Sequence, residues 1–318
     1  MNPLLSLLQD GKFRSGKSLG ESLGVTRASI WKQLSKLEVE TGLRLERVRG
    51  RGYRLSDPIS LLAPPLLSEH FGGIGWGCYF FERLASTNDK ARDLLQAGSR
   101  PPFVVTGEQQ VSGRGRRGRS WLSPYGENLY FSLAWSLDEG ARQLPGLSLS
   151  VGLAVLEALR ELGMPNAGLK WPNDVLVGER KIAGILTEAF GDLADRCTVI
   201  IGIGINVNMM HGSDELTQPW TSARLELGHL VDRNQVAISL ARKLSSYLAV
   251  HCHCGFAALR HEWEDKSLWQ GKDAAISSSG RHVVGRVLGV DDAGALRLLV
   301  DGAERRYSGG ELSLRLIQ

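Results

Sequence analysis

Gly113-Arg114-Gly115-Arg116-Arg117-Gly118-Arg119-Ser120-Trp121 runs on into Leu122-Ser123-Pro124-Tyr125-Gly126, and how this stretch continues decides the fold. Four arginines and three glycines share one loop that ends on an aromatic ring. Glycines let backbone N–H groups come close to an anion, and guanidinium forks grip phosphate or carboxylate oxygens in pairs. The letters satisfy GxGxxG, the dinucleotide fingerprint, which needs a strand before the glycines and a helix directly after them. A strand precedes, at Phe103-Val104-Val105-Thr106, but Ser123-Pro124-Tyr125-Gly126 is turn chemistry and Asn128 to Trp135 reads as another strand. With no helix N-terminus to hold a pyrophosphate, a doubly wound dinucleotide fold is excluded. A Walker loop is excluded as well, because no Lys-Ser/Thr pair follows the glycines. A nucleotide-phosphate or acyl-phosphate site remains, beside the ordinary alternative of a solvated basic loop or a nucleic-acid patch.

Around this loop, strands alternate with helices. Cys78 to Glu82 reads as a strand, and Ser86-Thr87-Asn88-Asp89 opens a helix to about Gln96, Ser86 and Asp89 having capping-box spacing. Leu147 to Leu162 reads as an amphipathic helix. Val175–Val177, Ile182–Thr187 and Thr198–Asn206 read as strands, joined by short connections at Gly178-Glu179-Arg180 and at 191–195. Such connections make antiparallel hairpins, hence a mixed α/β domain. Gly168-Leu169-Lys170-Trp171-Pro172-Asn173-Asp174 falls at a strand end. There Lys170 can be partly desolvated beside Trp171 and place a compact charge on a developing oxyanion; a plain exposed lysine is the commoner fate. His251-Cys252-His253-Cys254, with His261, resembles a metal motif, but adjacent ligands on one helix (240–259) cannot close a tetrahedral site, so no metal is expected there.

The N-terminal segment differs in charge. Residues 1–57 hold 11 Lys/Arg against 6 Asp/Glu, whereas the rest holds 27 against 28. A polyanion partner is therefore expected at this end. Leu4 to Leu8 opens a short helix, Ser15 caps a second that Gly24 ends, and Thr26 caps a third with Ile30, Leu34 and Leu37 on one face. Arg27, Lys32 and Gln33 fall mostly elsewhere and face outward as DNA-reading candidates. Leu43 to Leu55 alternates like a hairpin, with Arg49-Gly50-Arg51-Gly52 at its tip, so Arg49 and Arg51 are candidates for the DNA backbone or minor groove. The segment predicts a winged helix-turn-helix; protein contact is the alternative use of that fold. Ser56-Asp57-Pro58 and Ala63-Pro64-Pro65 bracket an expected linker.

At the other end, Asp273–Ser277, Val283–Val290, Leu296–Val300 and Glu304–Tyr307 read as strands, with turns at Ser279-Gly280, Asp291–Gly294 and Asp301-Gly302, a small β-barrel of SH3-like size. The expected domains are thus 1–62, 63–268 and 269–318. Cys78, Cys197, Cys252 and Cys254 lack framework spacing, which fits reduced thiols in a cytoplasmic protein. Met1-Asn2-Pro3-Leu4-Leu5 lacks a charged n-region, and no apolar run reaches membrane-span length, so neither a signal peptide nor a membrane partner is expected.

Ser86-Thr87-Asn88, Gln110 with Gly113–Gly118, Lys170–Asp174, Lys181–Leu186 and Gly202–Asn206, in this order between those flanking modules, resemble the bifunctional biotin protein ligase and biotin operon repressor family. The likeness covers nearly the whole chain, including the ending Gly309 to Arg315. It implies a central catalytic domain of class II synthetase-like fold that joins biotin and ATP, with Mg²⁺, into biotinyl-5′-adenylate. The biotinyl group then passes to a lysine of the biotin carboxyl carrier protein of acetyl-CoA carboxylase. By position, Ser86, Thr87, Asn88, Gln110, Arg114, Gly115, Arg116 and Lys170 would contact biotin. Arg116, Trp121, Asn173 and Lys181 would contact ATP or the adenylate, and Lys170 and Arg116 would be catalytic. The resemblance also implies a homodimer, promoted by the adenylate, on a palindromic operator of the biotin operon. Two departures are Tyr307, where the family pattern has Trp, and the strongly basic wing tip. A lipoate-type ligase is opposed by the Arg/Gly loop and the winged helix. A pure biotin sensor is opposed by the phosphate-handling Arg116 and Lys170.

Overall fold

The computed structural model describes residues 2–191, 197–213, 216, 218–278, 281–309 and 313–316. At the N-terminus, α1 (Pro3–Leu8), α2 (Gly16–Leu23) and α3 (Arg27–Thr41) precede a two-stranded hairpin, β1 (Leu45–Val48) and β2 (Gly52–Leu55). The caps expected from sequence form. Ser15 Oγ accepts from the Ser18 N–H at 3.0 Å, Thr26 Oγ1 accepts from Ser29 N–H at 3.2 Å, and left-handed Gly24 and Gly42 end α2 and α3. Ile30, Leu34 and Leu37 are buried against Leu4, Leu5, Leu8 and Leu19. Arg14 and Tyr53 exchange backbone hydrogen bonds at 2.8 Å, fastening the wing to the chain ahead of α2.

The expected linker is not a free tether. Ile59 and Leu61 are buried in the N-terminal core together with Tyr125, whose hydroxyl donates to Glu82 at 2.9 Å. Leu62 N–H donates to Glu108 Oε1 at 2.7 Å, and Ala63 N–H to Asn234 Oδ1 at 2.7 Å. Arg233 lies beneath them, fully buried, pairing with the equally buried Glu108 and donating to the carbonyls of Ser60 and Asn128. Pro64 then takes a first-turn position of α4 (Pro64–Gly73), a helix that sequence reading did not place, having read only its first prolines as the end of the linker. Proline punctuates a chain, but in a first turn its missing N–H costs nothing.

The central sheet contains β3 (Gly77–Leu84), β4 (Phe103–Gln110), β5 (Leu129–Leu137), β6 (Ala167–Lys170), β7 (Asp174–Val177), β8 (Arg180–Phe190) and β9 (Cys197–Ile205). Its order is β3-β4-β5-β9-β8-β7-β6, with β3 and β4 parallel and the other neighbours antiparallel, as a mixed domain requires. The β8–β9 connection lies mostly outside the described residues. One face packs on α6 (Leu147–Glu161) and α8 (Arg233–Cys254), with α7 (Ala223–Leu227) between them in sequence. Along β9 the two-residue period sends Val199, Ile201, Ile203 and Ile205 into that core. The other face carries Ile200, then Gly202 and Gly204. Helix α5 (Thr87–Gln96) covers only the Ile200 end, through Ala91, Leu94 and Leu95. Beyond it, glycine in place of branched residues leaves the sheet open.

Helix α8 stops at Cys254, before Gly255, rather than running to Leu259; Phe256–Leu259 form a 3₁₀ turn ahead of α9 (Arg260–Asp265). Buried His251 meets Ser150 Oγ through Nδ1 at 2.7 Å and the Gln143 carbonyl through Nε2 at 2.8 Å, so one ring nitrogen joins α8 to α6 and the other joins it to the 3₁₀ turn Gly140–Gln143. The C-terminal module is a five-stranded antiparallel sheet, β10 (Asp273–Ser278), β11 (Arg281–Val290), β12 (Leu296–Val300), β13 (Ala303–Tyr307) and β14 (Ser313–Leu316), ordered β13-β12-β11-β10-β14. It has the strands and size of an SH3-like barrel, although no ladder joins β13 to β14 among the described residues. Ser279-Gly280 lies outside them. Strand β14, too short to show a period, was not apparent in the sequence.

Glu127 sits half-buried near Asp57 and Arg233, where the N-terminal module meets the central sheet. Burial first, and then the charge of Asp57, raise its carboxyl from 4.5 to about 7, against the opposing pull of Arg224 and Arg233. A carboxyl raised on folding leaves stability intact below about pH 4.5 and removes it as pH climbs towards 7; the full shift corresponds to roughly 3 kcal/mol. Glu127→Gln is therefore expected to melt about 5 °C above the parent at pH 8 and level with it at pH 4, by calorimetry. Equal melting temperatures at pH 8 would remove Glu127 from the account.

Candidate active site

One cleft on the open sheet face gathers Ser86, Thr87, Asn88, Gln110, Arg114, Gly115, Arg116, Trp121, Asn173 and Lys181. Five elements or loops contribute to it, so residues far apart in sequence become neighbours. Ser86 holds the N-cap position of α5 but makes no side-chain cap bond; it is 3% exposed and lines the cleft. The capping-box reading is thereby corrected, since Asp89 instead meets Arg92 at 3.3 Å and Arg114 at 2.5 Å. Asn88 fits only because β9 has glycine opposite: a Cβ on Gly202 would lie 2.3 Å from Asn88 Oδ1. Gly204 does the same for Trp121, whose ring would be 2.4 Å from a Cβ there.

The Arg/Gly loop closes on itself, with Gly115 N–H donating to the Arg119 carbonyl at 2.7 Å and Trp121 N–H to the Gly113 carbonyl at 2.8 Å. Arg117 at its turn takes a left-handed φ of 61°. Arg116 reaches across the cleft, donating to Asn173 Oδ1 at 2.8 Å and to the Gly309 carbonyl of the C-terminal module. Burial lowers its pKa. Asn173 is held in turn by its amide, which donates to the Ile185 carbonyl at 2.8 Å.

Lys170 ends β6 and is desolvated as expected, but the ring its ammonium lies over is that of Trp269, not the neighbouring Trp171 from which the desolvation was expected. Its side chain is 14% exposed, its Nζ lies 4.6 Å from the Trp269 ring centroid, and burial depresses its pKa. Asp174 joins Lys170 to the cleft, with Oδ2 4.0 Å from Lys170 Nζ and Oδ1 2.7 Å from Lys181 Nζ. Three cations, Arg116, Lys170 and Lys181, thus surround one carboxylate beside a neutral pocket of hydroxyls and amides. Such a set can hold an uncharged polar ring at one end and the charge of a carboxylate and a phosphate at the other. The Trp121 indole N–H is buried without a hydrogen-bond partner among the described residues, a donor left for a ligand. Among those residues no cluster of three or more His, Cys, Asp or Glu is placed to hold a metal ion.

Sequence reading missed Glu188 and Ser132, which bond to this pocket from β8 and β5. A lone Glu or Ser at a strand position carries no local signal. The DNA-reading candidates lie apart from the cleft. Arg27, Lys32 and Gln33 are exposed on α3, and Arg49 and Arg51 are exposed at the wing tip, where Arg51 stacks 4.2 Å from the Phe13 ring centroid. Among the described residues no helix is long and apolar enough to cross a membrane.

Residues 80–206 match the model of the biotin/lipoate A/B protein ligase family, and residues 2–54 match an HTH domain model. The bifunctional ligase/repressor BirA of Escherichia coli is 37% identical over 317 residues, 98% of this chain and 96% of that one. Its Bacillus subtilis counterpart is 32% identical over 311 residues, 93% of each. The structure of biotin protein ligase from Aquifex aeolicus in complex with biotin and ATP aligns with a TM-score of 0.67 and 29% identity, covering 76% of this chain and 99% of that one. With a shared length that includes the winged helix, the cleft and the C-terminal sheet, this chain belongs to the bifunctional biotin protein ligase/repressor family.

Proposed function

We propose that the protein joins biotin to ATP, releasing pyrophosphate, and passes the biotinyl group from biotinyl-5′-adenylate to a lysine of the biotin carboxyl carrier protein of acetyl-CoA carboxylase. With the adenylate bound it represses the biotin operon in the cytoplasm, as a homodimer on a palindromic operator. One observation carries the reading: the Ser86-Thr87-Asn88-Gln110 pocket opens into the same cleft as Arg116 and Lys181, with Lys170 tied in through Asp174.

In this reading the biotin ring enters the hydroxyl and amide pocket, and its carboxylate lies towards Arg114, Gly115 and Arg116. A carboxylate oxygen attacks the α-phosphorus of ATP and pyrophosphate leaves. No protein nucleophile is needed; what matters is alignment and cations on the phosphate. Lys170 supplies the compact charge, Arg116 spans carboxylate and phosphate, and Lys181, Asn173 and Trp121 line the nucleotide side. Mg²⁺ supplies neutralisation of the pyrophosphate when bound with ATP. The carrier lysine amine then attacks the acyl carbon, and AMP departs.

Biotin-dependent ATP–pyrophosphate exchange, with lipoate as the control acid, tests the first half. Exchange with biotin alone is expected; biotin binding without exchange would make the protein a sensor. For DNA, the Arg49→Ser/Arg51→Ser pair is expected to lower the slope of log K against log salt by about 2 on operator DNA, measured by fluorescence anisotropy. An unchanged slope would take the wing tip off the phosphates.

A further inference from the structure

Glu188, on β8, is not used by the chemistry above, yet both of its oxygens face the pocket's supports. Oε2 accepts from Asn88 Nδ2 at 2.8 Å, and Oε1 lies 3.2 Å from Arg92 and 3.3 Å from Arg114. From Asn88 a continuous series of hydrogen bonds crosses the pocket. Asn88 Oδ1 meets Ser132 Oγ at 2.6 Å, and Ser132 Oγ meets Thr87 Oγ1 at 2.7 Å. Thr87 N–H donates to Gln110 Oε1 at 2.9 Å, Gln110 Nε2 donates to Ser123 Oγ at 3.0 Å, and Ser123 donates to the Trp121 carbonyl at 2.9 Å.

The direction of this series is set by its ends. An ionised carboxylate only accepts, so Asn88 turns its NH₂ to Glu188 and its oxygen to Ser132. Each hydroxyl has one proton: Asn88 Oδ1 can only accept, so it takes the Ser132 proton, and the Thr87 hydroxyl is shared between Ser132 Oγ at 2.7 Å and Gln110 Oε1 at 3.1 Å. At the far end the Trp121 carbonyl only accepts, which fixes Ser123 and, through it, the Gln110 amide. Of the two terminal acceptors, Glu188 is the side chain.

We propose that Glu188 is a positioning and specificity-determining residue that fixes the donor and acceptor pattern the pocket presents to the bound ring. The inference rests on the biotin reading: a cyclic urea, with one carbonyl acceptor and two N–H donors, is recognised only by a pocket of the complementary polarity. A buried amide free to turn over presents the wrong group half the time and leaves polar atoms unpaired.

Glu188→Gln keeps the shape but can donate, which releases Asn88 from its single orientation. The probes are biotin and its 2-thio analogue, a neutral ring of nearly the same shape whose sulfur accepts hydrogen bonds poorly. Titration calorimetry on the full chain is expected to show biotin weakened about 10- to 100-fold and the thio analogue much less, so that wild-type discrimination collapses. Exchange at saturating biotin should keep its kcat while KM rises. Asp89→Asn, which loosens Arg114 without touching Asn88, should retain the discrimination. Equal losses for both rings, or an unchanged ratio, would overturn the proposal by making Glu188 a prop for Arg114. Wild-type protein that binds neither ring would sink the biotin reading itself, and this inference with it.

Discussion

Lys170→Ala is expected to lower biotin-dependent ATP–pyrophosphate exchange by about 100- to 1000-fold while the protein still binds biotin and melts close to the parent. The ammonium group is held where water cannot replace it. It is 14% exposed, packed against the Trp269 ring and paired with Asp174, which also binds Lys181. A cation fixed before the reaction begins stabilises charge developing on the phosphate without reorganisation, and is lost whole when the side chain is removed. Arginine should rescue poorly, because a planar fork does not fit a recess built around a compact charge. Burial also lowers the Lys170 pKa, so the charged, active form is lost on the alkaline side before an ordinary lysine would lose its proton. A fall in exchange of less than about tenfold, below what one preorganised cation typically supplies, would show that Arg116 and Lys181 suffice.

Arg233→Ala is expected to destabilise the protein by about 3–5 kcal/mol in denaturant unfolding, because it leaves Glu108 charged and unpaired in the core. Arg233 and Glu108 are 0% and 1% exposed, and Arg233 also satisfies the carbonyls of Ser60 and Asn128. Replacing both partners together, as Glu108→Leu/Arg233→Met, should recover much of the loss, since a well-packed apolar pair is often no worse than a buried ion pair. The double variant will still lack the Glu108 bond to Leu62 N–H. Its operator affinity should therefore fall even where its stability is restored, because the winged helix is held to the sheet by fewer bonds, Ala63 to Asn234 and the Ile59, Leu61 and Tyr125 packing remaining. A single variant as stable as the parent would remove the pair from that junction.

The winged helix was legible because its signals are local. Ser15 and Thr26 cap helices through their own backbone neighbours, and Gly24 and Gly42 end them in a left-handed turn that other residues resist. The turn after Trp121 was equally local, and it alone excluded a dinucleotide fold. Contiguous motifs also revealed most of the cleft, since Ser86 to Asn88, the Arg/Gly loop and Lys170 to Asp174 each lie within one short run. Pro64, by contrast, read only as the end of a linker, and packing on the catalytic core made it the start of a helix. Glu108 with Arg233, and Asn88 with Glu188, are separated by 125 and 100 residues. Sequence alone thus determined the elements whose hydrogen bonds close over three or four residues. Tertiary structure decided the anchoring of the DNA-binding module and the polarity of the ring pocket, because a buried charge or amide acquires its role only from the partner that folding brings to it.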